Sequence, residues 1–336
     1  MVEVYKWSDF ANRKVLIIGG MGFIGSNLAN RLVSLGADVL IVDSMLPQYG
    51  ANLTNVEAIK EKCKINFSDI RDRHSLNFLV KQADVIYNVA GQTSHIESMN
   101  DPFTDLEINC RSQLSLLESC REYNRDVKVV FASTRQLYGK PAYLPVDDRH
   151  PTEPVDVNGI NKLAAEKYYT VYQRAYGIRS VSLRLTNTYG PRQHLRGNSQ
   201  GFAGIFIRRA IEGKKIRIFG DGNQLRDFNY IDDVVDAFLL ATDNERLYGK
   251  AYNLGSKNRY SLLDFVKILG QFCKFEYETV PFPPEHEVID IGDYYSDFSR
   301  FQTETSKASR KCCSWFWQYD FLIFRLVFNP VCGMIL

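Results

Sequence analysis

At 336 residues the chain is long enough for one large or two modest domains with a well-buried core. Its 45% hydrophobic and 24% charged residues are those of an ordinary soluble globular protein. A net charge of +2 gives no electrostatic case for nucleic acid, and the pairs Arg208-Arg209 and Lys214-Lys215 read as solvated helix faces. Of seven cysteines, an odd count, Cys63, Cys110, Cys120 and Cys273 are scattered without pairing or metal spacing and three lie near the end, two of them the adjacent Cys312-Cys313. This suggests a reducing compartment, no disulfide framework and no metal. Residues 1–12 mix charges and aromatics and lack the apolar core of a signal peptide, so a cytoplasmic location is expected.

In chain order the first half alternates apolar strands with amphipathic helices. Lys14–Ile18 reads as a strand, Ser26–Leu35 as a helix and Val39–Val42 as a second strand. Lys64–Phe67 and Val85–Val89 are further strands, followed by a helix over Asn109–Glu122 and a strand over Val127–Phe131. Leu163–Ala175 reads as a helix and Ser180–Arg184 as a strand. Such alternation predicts a doubly wound parallel α/β sheet of Rossmann type with helices on both faces. After Tyr189-Gly190-Pro191 the pattern loosens. Phe202–Glu212 and Asp232–Ala241 read as helices, and Lys215–Phe219 and Ala251–Leu254 as strands, predicting a smaller α+β domain. The expected division is 12–188 for the first domain, with segments near 228–256 returning to it, and 189–305 for the second. Residues 306–336 form an atypical apolar tail, but Arg325, Asn329 and Pro330 leave no run long enough to span a bilayer, so no membrane is expected.

The first strand breaks at a glycine turn, Gly19-Gly20-Met21-Gly22-Phe23-Ile24-Gly25, and a helix follows. Glycines at 19, 22 and 25 allow the tight turn, close approach of backbone to a pyrophosphate, and close helix–strand packing. The phosphates then face the free N–H groups of the helix start. Asp43 ends the second strand, placed to bind ribose hydroxyls. Ser44 follows rather than a basic residue, so nothing there would hold a 2′-phosphate, and the expected cofactor is NAD.

These motifs, with others in the same order, resemble the extended short-chain dehydrogenase/reductase family, in particular its nucleotide-sugar epimerases and dehydratases. The resemblance runs from about Lys14 to Thr305. Asp69-Ile70-Arg71-Asp72 is similar to the segment that holds adenine. Asn88-Val89-Ala90-Gly91-Gln92 is similar to the strand end beside the nicotinamide. Phe131 to Gly139 is similar to the strand carrying the catalytic Ser/Thr, here Thr134. Asn187 falls where the family contacts the sugar nucleotide, and Arg226 where an Arg grips its diphosphate. The resemblance implies a nucleotide-diphosphate sugar as substrate, a transient keto-sugar intermediate and a possible homodimer through helices near Asn109–Glu122 and Leu163–Ala175.

One catalytic position departs from the family. Its proton carrier is a Tyr four residues before a Lys; Lys162 fits, but Asn158 stands four residues earlier. An amide only hydrogen-bonds and cannot shuttle a proton at neutral pH. No other Tyr-x-x-x-Lys occurs nearby. His95 is the candidate replacement, because an imidazole titrates near ~6.5 in water. Tyr138, Tyr143, or a water held by Asn158 and Thr134 remain open, as does a non-catalytic NAD- and sugar-nucleotide-binding regulator. Asp290 stands where a second phosphate-binding Arg is usual, so diphosphate binding would rest on Arg226 or Arg192, with Arg135 as a possible replacement cation.

Overall fold

A computed structural model describes residues 10–195 and 201–306; the apolar tail from 307 onward lies outside the described residues. The strands in chain order are β1 (Lys14–Ile18), β2 (Asp38–Val42), β3 (Lys64–Asn66), β4 (Val85–Asn88), β5 (Lys128–Thr134), β6 (Arg179–Leu185), β7 (Asn187–Tyr189), β8 (Ile216–Phe219), β9 (Leu225–Tyr230), β10 (Lys250–Asn253), β11 (Arg259–Ser261) and β12 (Tyr277–Val280). Seven of them form one sheet in the order β10-β6-β5-β4-β1-β2-β3, and every pairing in it is parallel. The chain moves outward from β1 to β3, then returns to β4 on the other side of β1. That reversal opens a crevice above the C-terminal ends of β1 and β4, the place where open α/β sheets take ligands.

The helices that matter here are α1 (Phe23–Ser34), α2 (Arg73–Leu79), α3 (His95–Asn100), α4 (Pro102–Leu106), α5 (Ser112–Tyr123), α6 (Val157–Tyr176), α7 (Phe202–Ile211), α8 (Ile231–Thr242) and α9 (Leu262–Leu269). Strand side chains alternate between two cores. Val15 and Ile17 pack with Leu28, Leu32 and Phe238 of α1 and α8, while Leu16 and Ile18 pack with Leu116, Leu117 and Tyr169 of α5 and α6. A third core joins α7, α9 and the short strands, with Phe228 and Phe265 stacked at 5.0 Å. Among the described residues no helix is long and apolar enough to cross a membrane.

Three helix boundaries differ from expectation, each for a local reason. Helix α1 starts at Phe23, three residues early, because Gly22 takes the cap position. The expected helix over Asn109–Glu122 enters through a π-helical turn at Glu107–Arg111 before α5 begins. Helix α6 starts at Val157 rather than Leu163, capped by the Asp156 carboxylate on the Gly159 N–H at 2.7 Å. Its first turns carry Asn158, Asn161 and Lys162 facing inward, so the apolar periodicity that marks a helix is missing there.

Candidate active site

Backbone builds the first half of the crevice. Gly19 has φ +83°, and a Cβ on it would stand 2.7 Å from the Ala90 nitrogen. On Gly25 a Cβ would reach within 2.2 Å of the Gly19 carbonyl, so α1 lies against the turn only because no side chain intervenes. Gly22 is different: the nearest atom to its Cβ would be the Gly19 carbonyl oxygen at 3.5 Å, an ordinary van der Waals contact that a side chain could tolerate. No side chain caps α1 there, which leaves its first-turn N–H groups for an anion. Asp43, 8% exposed, accepts from the Met21 and Met45 N–H groups at 3.0 and 2.9 Å. Burial pushes its carboxyl up against those two bonds, and each oxygen keeps a lone pair for a further donor.

The same cleft is lined by Gly19, Gly22, Phe23, Ile24, Gly25, Asp43, Asp69, Ile70, Ala90 and Gly91. Asp69 is held below the usual carboxylate range by its bonds from Arg71. At the far end, a Cβ on Gly91 would stand 2.9 Å from Asn109 Oδ1 and 3.0 Å from Lys162 Nζ. Asn109 Oδ1 and the nearby Gln92 Oε1 are enclosed acceptors without partners. A bare turn for a pyrophosphate, a carboxylate for a ribose and unmatched polar atoms at the other end fit a dinucleotide.

Side chains build the second half. Lys162 is buried and donates from Nζ to the Ala132 carbonyl at 3.1 Å, and burial lowers it to about 8. One turn earlier, Asn158 is also buried. Its Nδ2 donates to the Gln92 carbonyl at 2.8 Å and to Asp105 Oδ2 at 3.1 Å, so its own Oδ1 is the atom left to accept. Asp105, fully enclosed, also accepts from Asn109 and Asn161 at 2.9 and 2.8 Å. Thr134 ends β5, and its Oγ1 accepts from the Gln136 N–H. Gln136 in turn donates to Asp156 Oδ2 at 2.8 Å, and His95 Nδ1 lies 3.0 Å from that same oxygen. Burial raises Asp156, but the imidazole, the Gly159 N–H and Gln136 outweigh it and leave the carboxyl below its ordinary value. Thr134 and His95 thus meet through Gln136 and Asp156, while Asn158 and Lys162, on the helix that Asp156 caps, bond to Asp105 and to the Ala132 carbonyl.

Neither alternative tyrosine joins it. The Tyr138 hydroxyl is enclosed, donates to Asn253 Oδ1 at 2.7 Å, and is pushed up by burial. Tyr143 lies at the surface and donates to Asp147. On the substrate side, Asn187 donates to the Asp227 carbonyl and accepts from Arg135 at 3.3 Å. Arg226 is buried, bonded to the carbonyls of Leu225 and Gly292, and 3.7 Å from Asp290. Burial and then the like charge of Arg135 bring it down to about 10. Arg192 belongs elsewhere: it holds the Asn55 carbonyl and Asn27 Oδ1, so its fork is engaged on the α1 side. Asp105 and Asp156 escaped the sequence reading. The Asp156-x-x-Gly159 spacing of a helix cap would have found the second.

A parallel sheet with a glycine turn at its switch point and a buried lysine across from it defines a Rossmann-type dinucleotide-binding protein. The sequence profile of the NAD dependent epimerase/dehydratase family matches residues 15–255, and the chain belongs to that family. NAD is its cofactor. It is 36% identical to a putative UDP-glucose 4-epimerase of Methanocaldococcus jannaschii, over 82% of this chain and 88% of that one. It is 31% identical to the CDP-paratose 2-epimerase of Salmonella typhi, over 83% and 91%. The UDP-glucuronic acid 4-epimerase of Bacillus cereus, solved with UDP-glucuronic acid and NAD, superposes with a TM-score of 0.78 at 27% identity, covering 87% of this chain and 93% of that one.

Proposed function

We propose that the chain is an NAD-dependent nucleotide-sugar epimerase in which an imidazole replaces the usual tyrosine. One ring hydroxyl of a nucleotide-diphosphate sugar is oxidised to a transient ketone, and the same carbon is then reduced from its other face. The observation that carries this reading is the His95–Asp156 contact of 3.0 Å, at the start of the helix that bears both Asn158 and Lys162.

In this reading Gly19, Gly22, Phe23, Ile24 and Gly25 take the pyrophosphate, Asp43 the adenosine ribose, and Asp69 and Ile70 the adenine. Ala90, Gly91, Gln92 and Lys162 serve the nicotinamide end. Bound NAD supplies the oxidising equivalent and returns it, so no external oxidant is needed. Thr134 orients the reacting hydroxyl, and Asn158 Oδ1, which cannot take a proton, accepts from a neighbouring hydroxyl of the sugar or of the nicotinamide ribose. The proton goes to His95 Nε2, because Nδ1 is taken up 3.0 Å from the Asp156 carboxylate. When the ketone is reduced, His95 gives the proton back. Asn187 and Arg226 hold the sugar nucleotide, within a substrate region of about 189–305.

The Methanocaldococcus and Salmonella relatives both carry epimerase names. The reading includes a cytoplasmic setting and a homodimer through α5 and α6, where Ile160 and Val171 expose apolar surface. Proton NMR in deuterated water with a panel of nucleotide sugars tests it. An inverted ring carbon without solvent deuterium is the expected outcome. A deuterated keto product would mean dehydration, and no product from any sugar would mean a binding protein.

A further inference from the structure

Asp105 of α4 is sealed in the wall of the crevice with none of its surface exposed. Three amides bond to it: Asn161 Nδ2 donates to Oδ1 at 2.8 Å, and Asn109 and Asn158 Nδ2 donate to Oδ2 at 2.9 and 3.1 Å. Asn109 comes from the π-helical turn, the other two from the first turns of α6. A carboxylate only accepts, so every amide that touches it must turn its NH2 inward and its carbonyl oxygen away. One side chain thus sets the direction of three others. An amide in its place would present an NH2 to one of them, and that neighbour would have to turn over.

The oxygen turned away matters at the nicotinamide end. Asn109 Oδ1 is enclosed without a partner, and a Cβ on Gly91 would stand 2.9 Å from it and 3.0 Å from Lys162 Nζ. Gly91 lines the cleft, so this oxygen and this ammonium flank the space that its missing side chain leaves. Gln92 repeats the pattern. Its Nε2 donates to the Ser94 carbonyl at 2.9 Å, its own carbonyl accepts from Asn109 and Asn158, and its Oε1 is enclosed without a partner. Buried oxygens are expected to meet a donor, and a wall with its NH2 groups spent can only accept. Charge serves the same end: burial works against the proton on Lys162, and Asp105 and then Glu166 work for it.

We infer that Asp105 is a positioning residue for the cofactor: it holds Asn109 and Asn158 as acceptors, with the Asn109 oxygen set to receive the N–H and O–H donors of the nicotinamide riboside half. This rests on the reading that places the nicotinamide beside Gly91 and Lys162. Calorimetric titration of the NAD-free protein with ADP, ADP-ribose and NAD tests it. Asp105→Asn should keep ADP within about twofold and weaken NAD about tenfold or more. A loss already present with ADP-ribose assigns the acceptors to the ribose hydroxyls, and one confined to NAD assigns them to the carboxamide. The decline of NAD affinity with rising pH should also move to lower pH, because Lys162 loses one of the two charges, Asp105 and Glu166, that hold its proton. Equal loss for all three ligands, no loss for any, or an unmoved pH profile would overturn the inference. Should the variant fail to fold, Asn109→Leu must show the same split between ADP and NAD, and NAD held within about twofold would overturn it. Lys162→Met checks the reading itself. If it spares the step from ADP to NAD, the nicotinamide lies elsewhere and the inference falls with the reading. If Lys162→Met weakens NAD and Asp105→Asn does not, the inference alone falls.

Discussion

At the end of β1 the crevice is walled by backbone: a left-handed glycine, an uncapped helix start, and a carboxylate pinned by two main-chain N–H groups. At the end of β5 it is walled by side chains that bond one another: Asn158 to Asp105, Gln136 to Asp156, His95 beside Asp156. The contrast teaches where a site can change. A backbone wall admits no extra atom, so its sequence is tightly constrained. A side-chain network can trade one group for another, and Asn158 stands where such a trade has been made.

The largest expected effect comes from crowding the backbone wall. Gly25→Ala would set a methyl 2.2 Å from the Gly19 carbonyl, costing about 3 kcal/mol or more and removing NAD binding. Gly22→Ala, with its nearest neighbour at 3.5 Å, should fold normally and only weaken NAD. Thermal unfolding with and without NAD separates the two. Equal behaviour of both variants would blur the comparison between packing glycine and ligand-facing glycine.

Next in size is the side-chain wall. His95→Asn should cut kcat by about 10²–10⁴ with KM and NAD affinity little changed. Asp156→Asn keeps the cap on Gly159 but sets an amide NH2 against the Gln136 donor and loses the charge beside the imidazole, so activity should fall and stability drop by about 1–3 kcal/mol. Asn158→Tyr would break bonds to Gln92 and Asp105 in an enclosed space. It should cost about 1–3 kcal/mol and add no activity, as calorimetry and turnover would report. Activity confined to the Tyr variant would instead mark the natural chain as inactive.

The smallest effect is in pH. Burial brings Lys162 from 10.5 to about 8, so its charge is lost as pH rises through about 8. NAD titrations should show affinity declining across that range, and Lys162→Met should flatten the slope. Between about 8 and 10.5 the unfolded chain holds more protons at this lysine than the folded one. Its contribution to stability without NAD therefore rises with pH there.

Much of the large sheet was legible because its strands are apolar on both faces, as in Val15–Ile18 and Val129–Phe131. The glycine turn was legible for the same reason it is rigid. The start of α6 was not, since Asn158, Asn161 and Lys162 turn inward to polar partners and erase the helical apolar stripe. Strands β7, β9, β11 and β12 were missed because polar residues break their apolar pattern, as in Asn187-Thr188-Tyr189 and Arg259-Tyr260-Ser261. His95 could be singled out by type alone. Its partner Asp156 lies 61 positions away and Asp105 lies 53 from Asn158, and only folding brings such pairs together.

The central claim is that proton transfer has moved from a tyrosine position to His95. Rapid mixing of the NAD-loaded protein with its nucleotide sugar, followed by NADH absorbance, tests it directly. The wild type should show a transient signal, and His95→Asn should bind the sugar yet show none. A full signal from the His95→Asn protein, or none from the wild type with any bound sugar, would contradict it.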